Sequence, residues 1–152
     1  MIFSLQDNGL YDQDTFYDKF MKDIIYARQR VIIESPFTTT KRVRQLLPIL
    51  QKLVRRGVMV VVNTKPYEEH DVVMGEMAYE SISALQEVGV RVIMTVGHHR
   101  KLAIIDSEIL WEGSLNILSQ GDSCEIMRRI HSEEITKQTL NYLRLDRFYR
   151  IK

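Results

Sequence analysis

The residues able to do chemistry gather between positions 98 and 125. His99 and Lys101 are two apart, and on a strand that spacing places both side chains on one face. An imidazole and an ammonium would then project together. Asp106 stands at odd spacing from both, so a regular strand turns it to the opposite face. It is expected there as a hydrogen-bonded support and not in direct contact with reacting atoms. Gly113, Ser114 and Asn116 follow. Ser114 and Asn116 again share a face, and Gly113 permits close backbone approach. Histidine, lysine, hydroxyl and amide together make a phosphate site without a metal: Lys101 supplies charge, Ser114 and Asn116 neutral donors.

Taken singly, these residues have ordinary readings. A lone lysine usually snorkels at the surface, and a lone asparagine usually caps a helix. Trp111 is expected in the core or against another aromatic ring. His98 faces away from His99 on a strand and reads as structural or solvent-exposed, and His70 sits in a polar loop. His98, His99, Cys124 and His131 have no recognised zinc spacing. Glu125 is free to pair with Arg128 or Arg129. Only the constellation lifts Lys101 and its neighbours above these readings.

The string His99-x-Lys101-x4-Asp106-x6-Gly113-Ser114-x-Asn116 resembles the signature of the phospholipase D superfamily, the HKD motif, and Glu125 stands where that family commonly carries an acidic residue. The resemblance covers the whole chain in outline. It implies a phosphodiesterase, with His99, Lys101, Asp106 and Glu125 in the catalytic set and Lys101, Ser114 and Asn116 on the substrate phosphate. His99 would attack phosphorus to give a phosphohistidine. A second histidine would protonate the leaving oxygen, and Glu125 would accept a hydrogen bond from the far ring nitrogen of His99. No metal or cofactor is required. Many family members carry two motifs, whereas this chain carries one. The resemblance therefore implies a homodimer that brings two copies of His99 together, as in the family's small bacterial endonucleases. A fragment that has lost its partner motif, or a domain of a larger helicase or restriction protein, are the alternatives.

The elements that must hold these residues read as α/β. A helical face begins after Asp14 with Phe16, Phe20, Ile24 and Ala27. Val31-Ile32-Ile33 reads as a buried strand ended by Ser35-Pro36. Thr38 to Thr40 offer N-caps for a helix bearing Val43, Leu46, Leu47, Leu50, Leu53 and Val54, in which Pro48 predicts a kink or a late start. Arg56-Gly57-Val58 and Val88-Gly89-Val90 repeat one grammar: a helix, a glycine cap, then a buried strand. Residues 73–88 form the helix between. Two such steps predict right-handed crossovers. Short strands are expected at 101–106, 109–112 and 125–130, the first two joined by Ser107-Glu108 as a hairpin. Ser132 caps a last helix striped by Ile135, Thr139, Leu140 and Leu143. The expectation is a single domain over 1–152, with a mixed, mostly parallel central sheet and helices on both faces.

Composition narrows the class. The 152 residues, 45% hydrophobic and 27% charged, suffice for one core. The single cysteine excludes an internal disulfide and suits a reducing, cytoplasmic setting. No stretch approaches a membrane span, and Met1 to Asn8 lack the build of a signal peptide. The net charge of +1 does not announce a nucleic-acid binder. Local clusters do more: Lys41, Arg42, Arg44, Lys52, Arg55 and Arg56 in one segment, and Arg144, Arg147, Arg150 and Lys152 at the end. With those clusters and no membrane-binding amphipathic segment, DNA or RNA is the expected partner. A lipid phosphodiesterase and a non-catalytic nucleic-acid-binding module are the other classes.

Overall fold

The computed structural model describes residues 9–146. The basic residues Arg147, Arg150 and Lys152, and the segment Met1 to Asn8, lie outside the described residues. In chain order the elements are β1 (Gly9–Asp12), α1 (Phe16–Ile25), β2 (Arg30–Glu34), α2 (Thr40–Arg55), β3 (Met59–Thr64), a 3-10 turn (Tyr67–Glu69), α3 (Val72–Glu87), β4 (Arg91–Met94), β5 (Leu102–Ile105), β6 (Ile109–Gly113), β7 (Ile126–His131) and α4 (Glu133–Tyr142).

The strands form one sheet in the order β1-β7-β6-β5-β2-β3-β4. The mixed α/β class is as expected, but the sheet is not mostly parallel. Only β2–β3 and β3–β4 are parallel; β1–β7, β2–β5, β5–β6 and β6–β7 are antiparallel. The reason is connection length. The α2 and α3 crossovers return the chain in the same direction. After β4 no helix intervenes before β7, so β5, β6 and β7 can only reverse. The β5–β6 connection is three residues, 106–108, because Ile105 pairs with Ile109.

Helices cover both faces unevenly. On one face α1, α2 and α3 bury Phe16, Phe20, Ile24, Leu46, Leu50, Leu53 and Leu85 against Val31, Ile33, Val60, Val62, Ala103, Ile105 and Trp111. Each fully buried side chain contributes about 1.5–3 kcal/mol. On the other face α4 and the residues after it bring Leu140 and Leu145 to Ile32, Val61, Leu102, Ile104 and Leu110. Trp111 is in the core, as expected, edge-on to Tyr11 and Phe16.

Two local expectations are corrected. Pro48 does not mark a late start: α2 runs from Thr40 to Arg55 with the proline inside it. Buried Val43 and Leu46 before the proline, and Leu50 and Leu53 after it, anchor both halves to one sheet face. Thr39 is the N-cap residue of α2, yet its hydroxyl makes no cap bond and instead accepts from the Gln120 N–H at 2.9 Å. The glycine caps hold. Gly57 and Gly89 have φ of 85° and 92°, the left-handed form that ends a helix cheaply only at glycine.

Candidate active site

Strand direction alone assembles the site. Leu102 opposes both Glu34 and Glu112, and Gly113 opposes Met127. One edge of the sheet therefore collects the end of β2, the start of β5, the end of β6 and the start of β7. His99 and Lys101 precede β5, Ser114 and Asn116 follow β6, and Glu125 precedes β7. All five meet that edge. Asp106 closes β5 at the opposite edge.

His99 is exposed. The Lys101 ammonium donates to the His99 carbonyl at 2.8 Å and lies 3.2 Å from its Nδ1. An ammonium has no acceptor, so Nδ1 accepts here and a neutral ring carries its proton on Nε2. The two side chains do share a side, but through this local loop: β5 begins only at Leu102, so strand alternation is not the cause. Burial holds the Lys101 pKa below the ordinary lysine value, and the Glu125 carboxylate opposes that shift.

Gly113 is required by β6–β7 packing. A Cβ there would stand 2.1 Å from the Ile126 carbonyl oxygen and 2.9 Å from Met127 Cα. Ser114 is tied to the same neighbour: its N–H donates to the Ile126 carbonyl at 2.9 Å and its Oγ accepts from the Ile126 N–H at 3.0 Å. β6 has ended by then, so Ser114 and Asn116 are not a strand pair. Asn116 is half-buried and its Oδ1 is a buried acceptor without a hydrogen bond. With Glu125, Arg42, Tyr17 and Ser123 it lines a small cavity of about 70 Å³. Lys101 and Gly113 line a larger cleft of about 730 Å³ with Arg100, Arg128, Leu10, Ile126 and Tyr142. Of the expected residues, Lys101 and Gly113 line the larger recess and Asn116 and Glu125 the smaller, while His99 and Ser114 line neither.

Glu125 is engaged locally. Its Oε1 accepts from Ser123 Oγ at 2.7 Å, and its N–H donates to Gln13 Oε1 at 2.8 Å. Its contact with the site is the charge it presents to Lys101; the expected bond to His99 is not among the contacts of the described residues. Asp106 adopts φ 54° and its carboxylate accepts from the N–H groups of Arg28, Gln29 and Arg30 at 2.7–3.2 Å. It ties the α1–β2 connection to the β5 end remote from His99. A place among groups touching substrate does not fit that position; a support does.

Sequence reasoning missed the layer beneath His99. Glu34, fully buried, accepts from Asn63 Nδ2 at 2.8 Å and from Arg100 Nε and Nη2 at 3.0 and 3.3 Å. His98 is also buried, with Nε2 3.3 Å from Glu34 Oε2 but poorly aligned for a hydrogen bond. Burial first, then the charges of Arg100 and Lys101, push the His98 pKa down to about 4, so the ring is neutral at pH 7. The contact is a neutral imidazole packed against the carboxylate and not an ion pair. The signal was present: Glu34 and Asn63 close the apolar runs Val31-Ile32-Ile33 and Val60-Val61-Val62, and carboxyl ends of parallel strands are where α/β sheets place ligands.

The basic cluster on α2 also divides. Lys41, Arg42 and Arg44 occupy the first turns, at the His99 edge, with no acidic residue in the first turn. Lys52, Arg55 and Arg56 lie about 15–20 Å further along the axis. There Arg56 Nη2 caps the Ile25 and Ala27 carbonyls at 2.8 and 3.1 Å.

Among the described residues no group of three or more His, Cys, Asp or Glu is placed to hold a metal ion, and no helix is long and apolar enough to cross a membrane.

Comparison with known proteins finds similar folds. The fold is similar to Nuc, a phospholipase D family member from Salmonella typhimurium. The TM-score is 0.75 at 14% identity, covering 93% of this chain and 94% of that one. It is also similar to NucT from Helicobacter pylori, with TM-score 0.71 at 19% identity, covering 93% and 96%. TrmBL2, an archaeal chromatin protein with a novel mode of DNA binding, matches at TM-score 0.60 and 12% identity, over 93% of this chain and 53% of that one. No curated protein matches the sequence. The family model described as "Cardiolipin synthase, PLD-like domain" matches residues 20–146. With that match over most of its length, the chain belongs to the phospholipase D-like domain family.

Proposed function

We propose that this chain is a metal-independent phosphodiesterase, an endonuclease hydrolysing the DNA or RNA backbone through a phosphohistidine at a site shared by two subunits. The observation that carries the reading is the exposed His99 ring with the Lys101 ammonium held against it. A phosphodiester that draws Lys101 onto its non-bridging oxygens frees His99 Nδ1, and the ring becomes competent to attack. The His99–phosphorus bond forms as the phosphorus–oxygen bond to the leaving strand breaks. The second subunit's copy of this histidine gives its proton to that oxygen. It then takes a proton from the water that cleaves the phosphorus–nitrogen bond and restores His99. Lys101, Ser114 and Asn116 offset the negative charge of the phosphoryl oxygens.

A shared site is supported by the uneven sheet faces. The face bearing α4 leaves Leu10, Ile126 and Tyr142 exposed at 58%, 54% and 85% beside Lys101, an apolar margin suited to a second copy. Nucleic acid is supported by Lys41, Arg42 and Arg44 at the α2 N-terminus. Cations there oppose the helix dipole, and a phosphate backbone would offset their repulsion.

The test is cleavage of single-stranded DNA, duplex DNA and RNA in excess EDTA, by wild type and His99→Ala. Wild type is expected to cut and His99→Ala to lose about 10⁴-fold or more. Complete loss of wild-type activity on chelation would contradict the metal-free scheme. Hydrolysis of phospholipid vesicles with none of nucleic acid would move the substrate to lipid. A strict monomer with full activity would remove the shared site.

A further inference from the structure

The loop Thr95–Lys101 must present His99 from the mouth of β5, and it is pinned at several points. The Thr95 N–H donates to the Thr64 carbonyl at 2.9 Å, and its Oγ1 to Asn63 Oδ1 at 2.8 Å. The Gly97 N–H donates to the Glu69 carboxylate at 2.8 Å. His98 is buried, with its Nε2 3.3 Å from Glu34 Oε2. Arg100 returns to the same Glu34 with two nitrogens. His99 faces outward between the two residues that meet Glu34.

Glu34 stands at the centre of these ties. A buried carboxylate carries a desolvation cost that its partners must offset, and an apolar residue would close β2 without it. What the carboxylate adds is geometric: one side chain, fixed by the β2–β5 register at Leu102, touches the residues immediately before and after His99. Misplacement of a reacting group by about 1 Å costs on the order of 10²-fold in rate.

We propose that Glu34 is a positioning residue for His99, holding His98 and Arg100 so that the imidazole leaves the loop in one direction. It does not touch substrate. The kinetic half of this proposal rests on His99 as the nucleophile; the structural half does not.

The experiment is Glu34→Gln, read two ways and set beside Asp23→Asn, a change at a buried carboxylate remote from the loop. First, the His99 ring signals are followed by NMR. They are expected as one sharp set in wild type and in Asp23→Asn, but broadened or doubled in Glu34→Gln. Second, kcat and KM are measured well below each variant's melting temperature. In Glu34→Gln, kcat should fall about 10–100-fold with KM within about threefold, while Asp23→Asn keeps the wild-type kcat. If Glu34→Gln does not fold, Arg100→Gln breaks the same pair from its half-exposed side and should give the same ring broadening. Unchanged His99 signals with kcat within threefold of wild type would overturn the proposal. So would equal broadening in Asp23→Asn, because the effect would then be general loosening. If His99→Ala cuts like wild type, the catalytic reading fails, and the ring signals alone still decide whether Glu34 positions the loop.

Discussion

Asp23 and Glu34 are both buried carboxylates holding an arginine, and they serve different parts of the molecule. Asp23, on α1, takes Arg129 Nε and Nη2 at 2.8 and 2.9 Å and Trp111 Nε1 at 2.8 Å. Both charged side chains are enclosed, 5% and 7% exposed. That unit ties a helix to the β6–β7 face inside the core. Glu34, at the end of β2, is enclosed, but its arginine is 43% exposed and adjoins His99 in sequence. One pair joins two layers; the other sets where a reactive side chain leaves its loop. The same ion pair therefore reads out as stability in one place and as site geometry in the other.

The largest effect on stability is expected at Asp23. Asp23→Ala removes the buried carboxylate from the Arg129 guanidinium and the Trp111 N–H, at a cost of about 3–5 kcal/mol. That corresponds to a fall of roughly 6–20 °C in Tm, with the specific activity of the folded protein unchanged. A large loss of specific activity at low temperature would erase the distinction between the two pairs.

Next comes pH. The folded-state pKa of His98 lies near 4, below the ordinary 6.5. The unfolded chain therefore binds a proton in that window that the folded chain refuses. Stability is fully present above pH 6.5 and is lost as pH falls toward 4, by about 2–3 kcal/mol. His98→Gln removes this component, so its loss of stability across the window should be smaller than wild type's, as followed by urea denaturation. Parallel curves would show that His98 charges freely, and that the environment beneath His99 is wetter than described.

A smaller change is expected at Asp106. Asp106→Ala frees three backbone donors at the far edge and should cost about 1.5–3 kcal/mol, with kcat retained in the folded enzyme. A kcat loss as large as that of Glu34→Gln would mean that the two ends of β5 are coupled.

How much of this was legible in the sequence follows from which interactions are local. The αβ steps from Val31 to Met94 could be read, because helix periodicity and glycine caps are near-neighbour patterns. The order of the later strands could not. Nothing near Leu102 states that β5 pairs with β2, and nothing near Gly9 states that β1 pairs with β7. His99, Lys101, Ser114, Asn116 and Glu125 come to one sheet edge by routes the spacing did not state: His99 and Lys101 meet through a loop, and Ser114 and Asn116 lie beyond a strand end. Asp106 reads as a support from its spacing alone, and its carboxylate does bind the Arg28 to Arg30 backbone. Pro48 does not delay α2, because burial of the helix on both sides of it outweighs the proline's local preference. Glu34 and His98 escaped because pairing across dozens of residues leaves no periodic trace.

The most direct test of the central claim is to trap the covalent intermediate. Wild-type protein is mixed briefly with labelled nucleic acid in excess EDTA and quenched in alkali, where a phosphorus–nitrogen bond survives. It is then digested for mass spectrometry. The account predicts a phosphoryl adduct on His99, absent from His99→Ala. An adduct on any other residue, or undiminished cleavage by His99→Ala, would contradict it.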